Sequence, residues 1–175
     1  MARRALLQPF YTPWQPSLWI AAALHEAFAA SIDVQRKCIH DLHSDADVLV
    51  GSSWGGAVAA ALLAQGAWAG PTVILCPAVR LIDRWPPGVV PAFGPNLTHA
   101  GITAGLASLS PSVKARCLLV HGCLDETVPI SDSRELSSRT GISLYEVDDG
   151  DHGLGSVAQS GLLLELLQRV MASSS

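Results

Sequence analysis

Charge is scarce in this chain. Only 15% of its 175 residues are Asp, Glu, Lys or Arg, the net charge is −4, and the basic residues form no cluster. The electrostatic footprint of a nucleic-acid-binding protein is missing. A long uninterrupted apolar run is missing too. The most apolar stretch, Gly55 to Gly70, carries Gln65 and several glycines and falls short of a membrane span. Arg3-Arg4 has no adequate apolar segment behind it, which argues against a secretory signal. The four cysteines, Cys38, Cys76, Cys117 and Cys123, show neither metal nor redox spacing, and Cys76 and Cys117 lie in apolar runs. They read as buried thiols in a reducing, cytoplasmic compartment.

The chain does carry apolar residues, at 49%, and enough length for one domain spanning residues 1–175 with a proper core. The most informative stretch runs from Val48 to Leu63. A strand-like apolar run reaches Gly51, turns through Ser53, and continues past Gly55 as a helix of small residues. This is the G-x-S-x-G pattern in the strand–turn–helix setting of a nucleophile elbow. Three such fixed positions recur by chance in about one chain in twenty, so the flanking strand and helix carry the reading. Gly51 and Gly55 are expected to relieve crowding at the turn, since neither carries a Cβ.

Before the elbow, Leu6 to Phe10 reads as a short strand followed by a Pro- and Trp-rich loop. Ser17 is a plausible N-cap, with Ile20, Leu24 and Phe28 on one helical face. Periodicity does not decide between helix and irregular chain over Ile32 to Leu42. His40, Asp41, His43, Asp45 and Asp47 form a polar cluster that reads as a solvated loop rather than a metal site.

After the elbow helix, Pro71 to Ala78 reads as a buried strand, and Val79 to Pro111, rich in Pro and Gly, as an irregular segment lying over a site. Ala115 to Gly122 is another strand. Asp132 and Glu135 resemble a capping box opening a helix that stops at Gly141. Ile142 to Val147 is a further strand. Ser156 is a candidate cap for the last helix, with Glu165, Gln168 and Arg169 wet and Leu163, Leu166, Leu167 and Val170 inward.

Strands alternating with helices imply a mostly parallel sheet with helices on both faces, a three-layer α/β class. Sites in such sheets lie at the carboxyl ends of the strands. Ser53, Asp125 and His152 each follow a strand. A serine hydroxyl needs a base within reach and the base needs an orienting acid, so Ser53 is the candidate nucleophile, His152 the base and Asp125 the acid. Asp83 is an alternative acid, and His121 and His99 are rival imidazoles. Asp148, Asp149 and Asp151 read as solvated loop carboxylates. The chain order Ser, Asp, His is that of α/β hydrolases.

Gly51 to Gly56, His121 to Pro129 and Gly150 to Gly153 resemble the three catalytic segments of the α/β-hydrolase superfamily. Gly51 to Gly56 together with Cys76 to Arg80 is similar to small, lidless bacterial serine esterases of the YqiA type. The resemblance implies a cofactor-free serine hydrolase that holds no metal. It would cleave a small-molecule ester or thioester through an acyl-enzyme, with Trp54 N–H as one oxyanion donor, and amides are a lesser variant. The substrate pocket would be shaped by Val79 to Pro111 with Trp14 or Trp85. One departure stands out. No strand ending in His-Gly precedes Ser53, so the second oxyanion donor is unassigned and the N-terminus reads as a short form or an incomplete gene model. That opens a second reading, a hydrolase-fold protein that binds a ligand or partner without turnover. A lost strand would also expose sheet edge and favour self-association.

Overall fold

The computed structural model describes residues 15–42, 47–84 and 97–172. Helix α1 (Gln15–Leu42) leads into strand β1 (Leu49–Ser52), helix α2 (Trp54–Ala64) and strand β2 (Thr72–Leu75). A 3-10 turn (Val79–Arg84), α3 (His99–Ala107) and α4 (Pro111–Lys114) connect to β3 (Cys117–Gly122). Helix α5 (Ile130–Thr140), β4 (Ser143–Val147), α6 (Gly155–Gln159) and α7 (Leu162–Ala172) complete the order.

The four strands pair in parallel in the order β1-β2-β3-β4. Each connection steps to the next strand in the same direction. With the right-handed crossover that strand twist favours, such steps place successive connecting helices on one face. The core shows this. Ile74, Cys117 and Leu119 turn toward Phe28 and Ile32 of α1, the apolar side chains of α2, Ile102 and Leu106 of α3, and Leu136 of α5. The alternate positions Val73, Leu118 and Val120 turn the other way, onto Val157 of α6 and Leu166 and Val170 of α7. The two-residue period of the strands thus divides one sheet between two apolar layers. The expected parallel α/β architecture with helices on both faces is what the chain adopts.

Helix α2 is buried from Gly56 to Leu63. A helix apolar all round belongs in a core, and its small residues let neighbours approach: a Cβ on Gly105 of α3 would lie 2.7 Å from the Ala64 Cβ. β2 and β3 are buried along nearly their whole length, whereas β1 and β4 are partly exposed. Among the described residues nothing pairs with the outer edge of β1, where Val50 is 43% exposed.

Several local expectations are corrected. Ile32 to Leu42 continues α1, one helix of 28 residues, and Ser17 lies inside it rather than capping it. The segment from Val79 to Pro111 is partly helical, and α3 packs its Ile102 and Leu106 into the core instead of covering a site. α5 starts after Pro129, so Asp132 sits in its first turn, while Gly141 ends it in the left-handed conformation as expected. Ser156 falls inside α6. Glu165, Gln168 and Arg169 are exposed on α7, with Leu166 and Val170 buried. Cys76 and Cys117 are buried free thiols, but Cys38 is exposed. Leu6 to Phe10, His43, Asp45, Trp14 and Trp85 lie outside the described residues. No helix among the described residues is long and apolar enough to cross a membrane.

Phe28 fastens α1 to the elbow helix. It is fully buried and meets the Trp54 ring edge-on at 5.3 Å between centroids. Phe28→Ala is expected to lower stability by ~3–5 kcal/mol, measured as a lower urea midpoint at unchanged m-value.

Candidate active site

Parallel strands deliver their carboxyl ends to one edge, and three connections leave from that edge carrying Ser53, Asp125 and His152. Their side chains meet in series. Ser53 Oγ lies 2.9 Å from His152 Nε2, and His152 Nδ1 lies 2.7 Å from Asp125 Oδ2. Asp125 has no exposed side-chain surface, while His152 keeps about a quarter of its own.

Ser53 occupies the N-cap position of α2, where a serine would ordinarily turn its hydroxyl onto the helix. Its backbone sits at φ 53°, ψ −114°, and the hydroxyl makes no capping bond. It is free to face His152. Such a conformation persists only when its surroundings impose it. Ser53 N–H donates to Leu75 O of β2, and Ser53 O accepts from Ala57 N–H and Ala78 N–H. Trp54 N–H is a first-turn amide that the helix itself leaves unpaired.

The glycines divide their roles differently from expectation. A Cβ on Gly51 would lie 2.3 Å from Gly55 O, so the strand and helix touch there and only glycine fits. A Cβ on Gly55 would meet nothing within 4 Å, so Gly55 relieves no crowding of its own. Gly56 is the second tight position, where a Cβ would lie 3.1 Å from Leu75 O and from Pro77 Cα.

A second pair of glycines draws the acid and the base together. A Cβ on Gly122 would lie 2.2 Å from Gly150 O, and one on Gly150 would lie 2.9 Å from Gly122 Cα. Cys123 N–H donates to Val147 O and Leu124 N–H to Gly150 O across the same contact. The loops after β3 and β4 are therefore pressed backbone to backbone. Gly122 and Gly150 were visible in the sequence beside Asp125 and His152, but nothing in their spacing announced that they touch.

Asp125 is tied from several sides. Its Oδ1 accepts from Thr127 N–H and Val128 N–H, both at 2.8 Å. Burial alone would push its pKa up. The bonds from Val128, His152, Thr127 and the Cys76 thiol outweigh that and hold the carboxyl below its ordinary value. Burial likewise pushes the Cys76 thiol up to about 12, keeping it protonated as a donor. Cys76 sits at φ 41°, just past β2.

The other candidates fall elsewhere. Asp83 lies in the 3-10 turn after β2. His99 is buried at the start of α3. His121, the rival imidazole, is fully buried behind Asp125, 3.2 Å from Oδ2, and does not face Ser53. Asp148, Asp149 and Asp151 are exposed, with Asp151 Oδ1 accepting from Leu154 N–H. Among the described residues, the one group of side chains able to hold a metal is Cys76, His121 and Asp125, whose ligand atoms lie within 4.8 Å of one another. Arg80 bonds Glu135 and lies 3.8 Å from Asp132, so both supposed capping carboxylates bind the turn after β2 to α5. A groove of about 240 Å³ beside the elbow is lined by Ser31, Leu49, Val50, Trp54 and Gly55 among others. None of its lining residues comes from the described part of Val79 to Pro111.

Two outcomes follow from this geometry. Gly51→Ala should cost ~1–3 kcal/mol or more, whereas Gly55→Ala should be neutral or gain up to ~1 kcal/mol from helix propensity; paired denaturation curves check both. Because the folded Asp125 carboxyl titrates below its ordinary value of 3.8, it contributes stability above that pH and loses it as pH falls through the folded value. The stability difference between wild type and Asp125→Asn should therefore shrink as pH is lowered below the ordinary carboxylate value.

No curated protein matches the chain. Among solved structures, it superposes on the esterase domain of a Rhodothermus marinus protein with a TM-score of 0.58 at 18% identity, covering 79% of this chain and 67% of that one. TT1662 from Thermus thermophilus gives 0.53 at 19% identity, covering 71% of this chain and 54% of that one. MGS-MChE2, an α/β hydrolase from the metagenome of Mar Chica lagoon sediments, gives 0.53 at 14% identity, with 79% and 68% covered. The chain thus spans between half and about two thirds of these proteins, and at such identities the likeness shows the α/β-hydrolase fold alone. The family model of UPF0227, described as an uncharacterised protein family, matches residues 3–164, and the chain belongs to that family.

Proposed function

We propose that the chain is a serine hydrolase that cleaves a carboxylic ester or thioester through an acyl-enzyme. The observation that carries this reading is the unbroken series Ser53 Oγ, His152 Nε2, His152 Nδ1, Asp125 Oδ2, at 2.9 and 2.7 Å. His152 Nε2 takes the Ser53 proton as Oγ attacks the substrate carbonyl, then returns it to the leaving group. Asp125, ionised and buried, holds the proton on Nδ1 and steadies the imidazolium that forms. Water attacks the acyl-enzyme by the same route in reverse. Trp54 N–H, at the start of α2, faces the developing oxyanion together with the positive end of the helix. The hydrolase and esterase names among the structural neighbours agree with this chemistry.

A fluorophosphonate probe tests the reading. Wild type should become covalently labelled, Ser53→Ala should not, and Asp125→Asn should hydrolyse a short p-nitrophenyl ester ~10⁴-fold more slowly. Folded wild-type protein that resists the probe would instead support a fold that binds without turnover. A panel of acyl esters, thioesters and aminoacyl amides then separates the substrate classes.

A further inference from the structure

Asp125 Oδ2 faces two imidazoles. His152 Nδ1 is at 2.7 Å on the solvent side, and His121 Nε2 is at 3.2 Å on the buried side. His121 is held at both nitrogens. Nδ1 lies 2.7 Å from Ser133 Oγ on α5, and Nε2 lies 2.9 Å from Val128 O. Nε2 meets a carboxylate and a carbonyl, both pure acceptors, so it carries the proton; it donates that proton to Val128 O, with Asp125 Oδ2 close beside it. The Ser133 hydroxyl completes the ring as donor to Nδ1. Val128 closes the circuit, since its N–H donates to Asp125 Oδ1 while its carbonyl accepts from His121. The imidazole, the Asp125–Val128 turn and the carboxylate form one hydrogen-bonded unit, with Nε2 and Oδ2 brought to 3.2 Å. His121, Asp125 and Ser133 are all buried, so water cannot replace a missing member.

We propose that His121 is a positioning residue for the Ser53–His152–Asp125 series. By donating from Nε2 to Val128 O it fixes the turn whose amide holds Asp125 Oδ1, and its N–H lies 3.2 Å from Oδ2, where it moderates how strongly that oxygen holds the His152 proton. This rests on the triad reading above. An N–H dipole beside a carboxylate oxygen makes that oxygen a weaker acceptor, so His152 yields its proton more readily than it would to a carboxylate it had alone. The other ionisable groups facing this unit are the Cys76 thiol after β2, Glu146 on β4 and Asp151 in the loop after β4. Glu146 is engaged by Arg134 and Asp151 by Leu154 N–H.

Two amide substitutions separate position from bulk. In His121→Asn the side-chain amide reaches only the place of Nδ1, keeping Ser133 and leaving Val128 O without its donor and Oδ2 without the N–H beside it. In His121→Gln the amide reaches the place of Nε2 and restores that N–H. The readout is the His152 imidazole titrated by NMR, with kcat and KM for a p-nitrophenyl ester. The Asn variant should raise the His152 midpoint by about half a pH unit or more and lower kcat roughly ten- to a hundred-fold with KM nearly constant. The Gln variant should return both toward wild type. An unchanged midpoint in the Asn variant, or equal changes in the two, would overturn the proposal. If the Asn variant does not fold, Ser133→Ala, which frees the outer end of His121, should move the midpoint in the same direction by less; no movement there overturns it as well. The midpoint is read without turnover, so it decides this proposal even if wild type resists the fluorophosphonate probe. Conversely, probe labelling that depends on Ser53, with no shift in the Asn variant, leaves the hydrolase standing and removes His121 from it.

Discussion

A charged carboxylate with no exposed side-chain surface is the constraint around which the carboxyl edge of this sheet is built. Ionised Asp125 in isolation would cost several kcal/mol of lost hydration, and the fold offsets that with donors drawn from separate segments. Thr127 and Val128 supply backbone amides from the turn after β3, Cys76 a thiol from the end of β2, and His152 an imidazole from the loop after β4, while His121 of β3 brings its Nε2 to 3.2 Å. Each donor arrives on an element whose position is set by the strand register. If β2, β3 and β4 slipped by one residue relative to each other, every alternate side chain would change faces and the donors would disperse.

The backbone contacts at that edge follow from the same requirement. Asp125 and His152 must approach within a hydrogen bond although they leave neighbouring strands on loops of different lengths. The Gly122–Gly150 contact brings those loops to a separation that no Cβ allows. At the other end of the series, Gly51 lets β1 lie against the first turn of α2, and Gly56 lets that turn lie against Pro77. The site is thus assembled by two close backbone approaches, one for the nucleophile and one for its partners.

Much of this was legible in the chain, and the parts that were not share a cause. The elbow, the parallel order of strands and the three residues at the strand ends all rest on local patterns: an apolar run, a glycine turn and a polar residue after a strand. Helix α1 beyond Ile32 was illegible because its second half is mostly exposed, leaving too few buried positions to show a period. α3 was hidden by its own composition, since Gly101, Gly105 and three alanines resemble loop sequence until α2 is known to need small neighbours. Asp132 and Glu135 were assigned to a cap on local spacing, yet both serve Arg80, which is 52 residues upstream of Asp132. His121 reads in sequence only as a rival to His152, because its acceptor, Val128, and its partner on α5, Ser133, become neighbours only after the turn folds back.

The nucleophile sits on the least supported strand of the sheet. β1 has one strand neighbour among the described residues, and half of its residues are exposed. Yet Ser53 must hold φ 53°, a conformation that costs about 1–3 kcal/mol for a residue other than glycine. The missing support comes from behind and below. Leu75 and Ala78 bond the Ser53 backbone from the β2 side, and the fully buried core of α2 anchors the turn's far end. Trp54 meets Phe28 of α1 beneath it. The strain at Ser53 is therefore sustained by the bonds to Leu75 and Ala78 and by helix burial together. This explains how a four-residue strand with one strand neighbour among the described residues can carry the residue whose placement demands the most of the backbone.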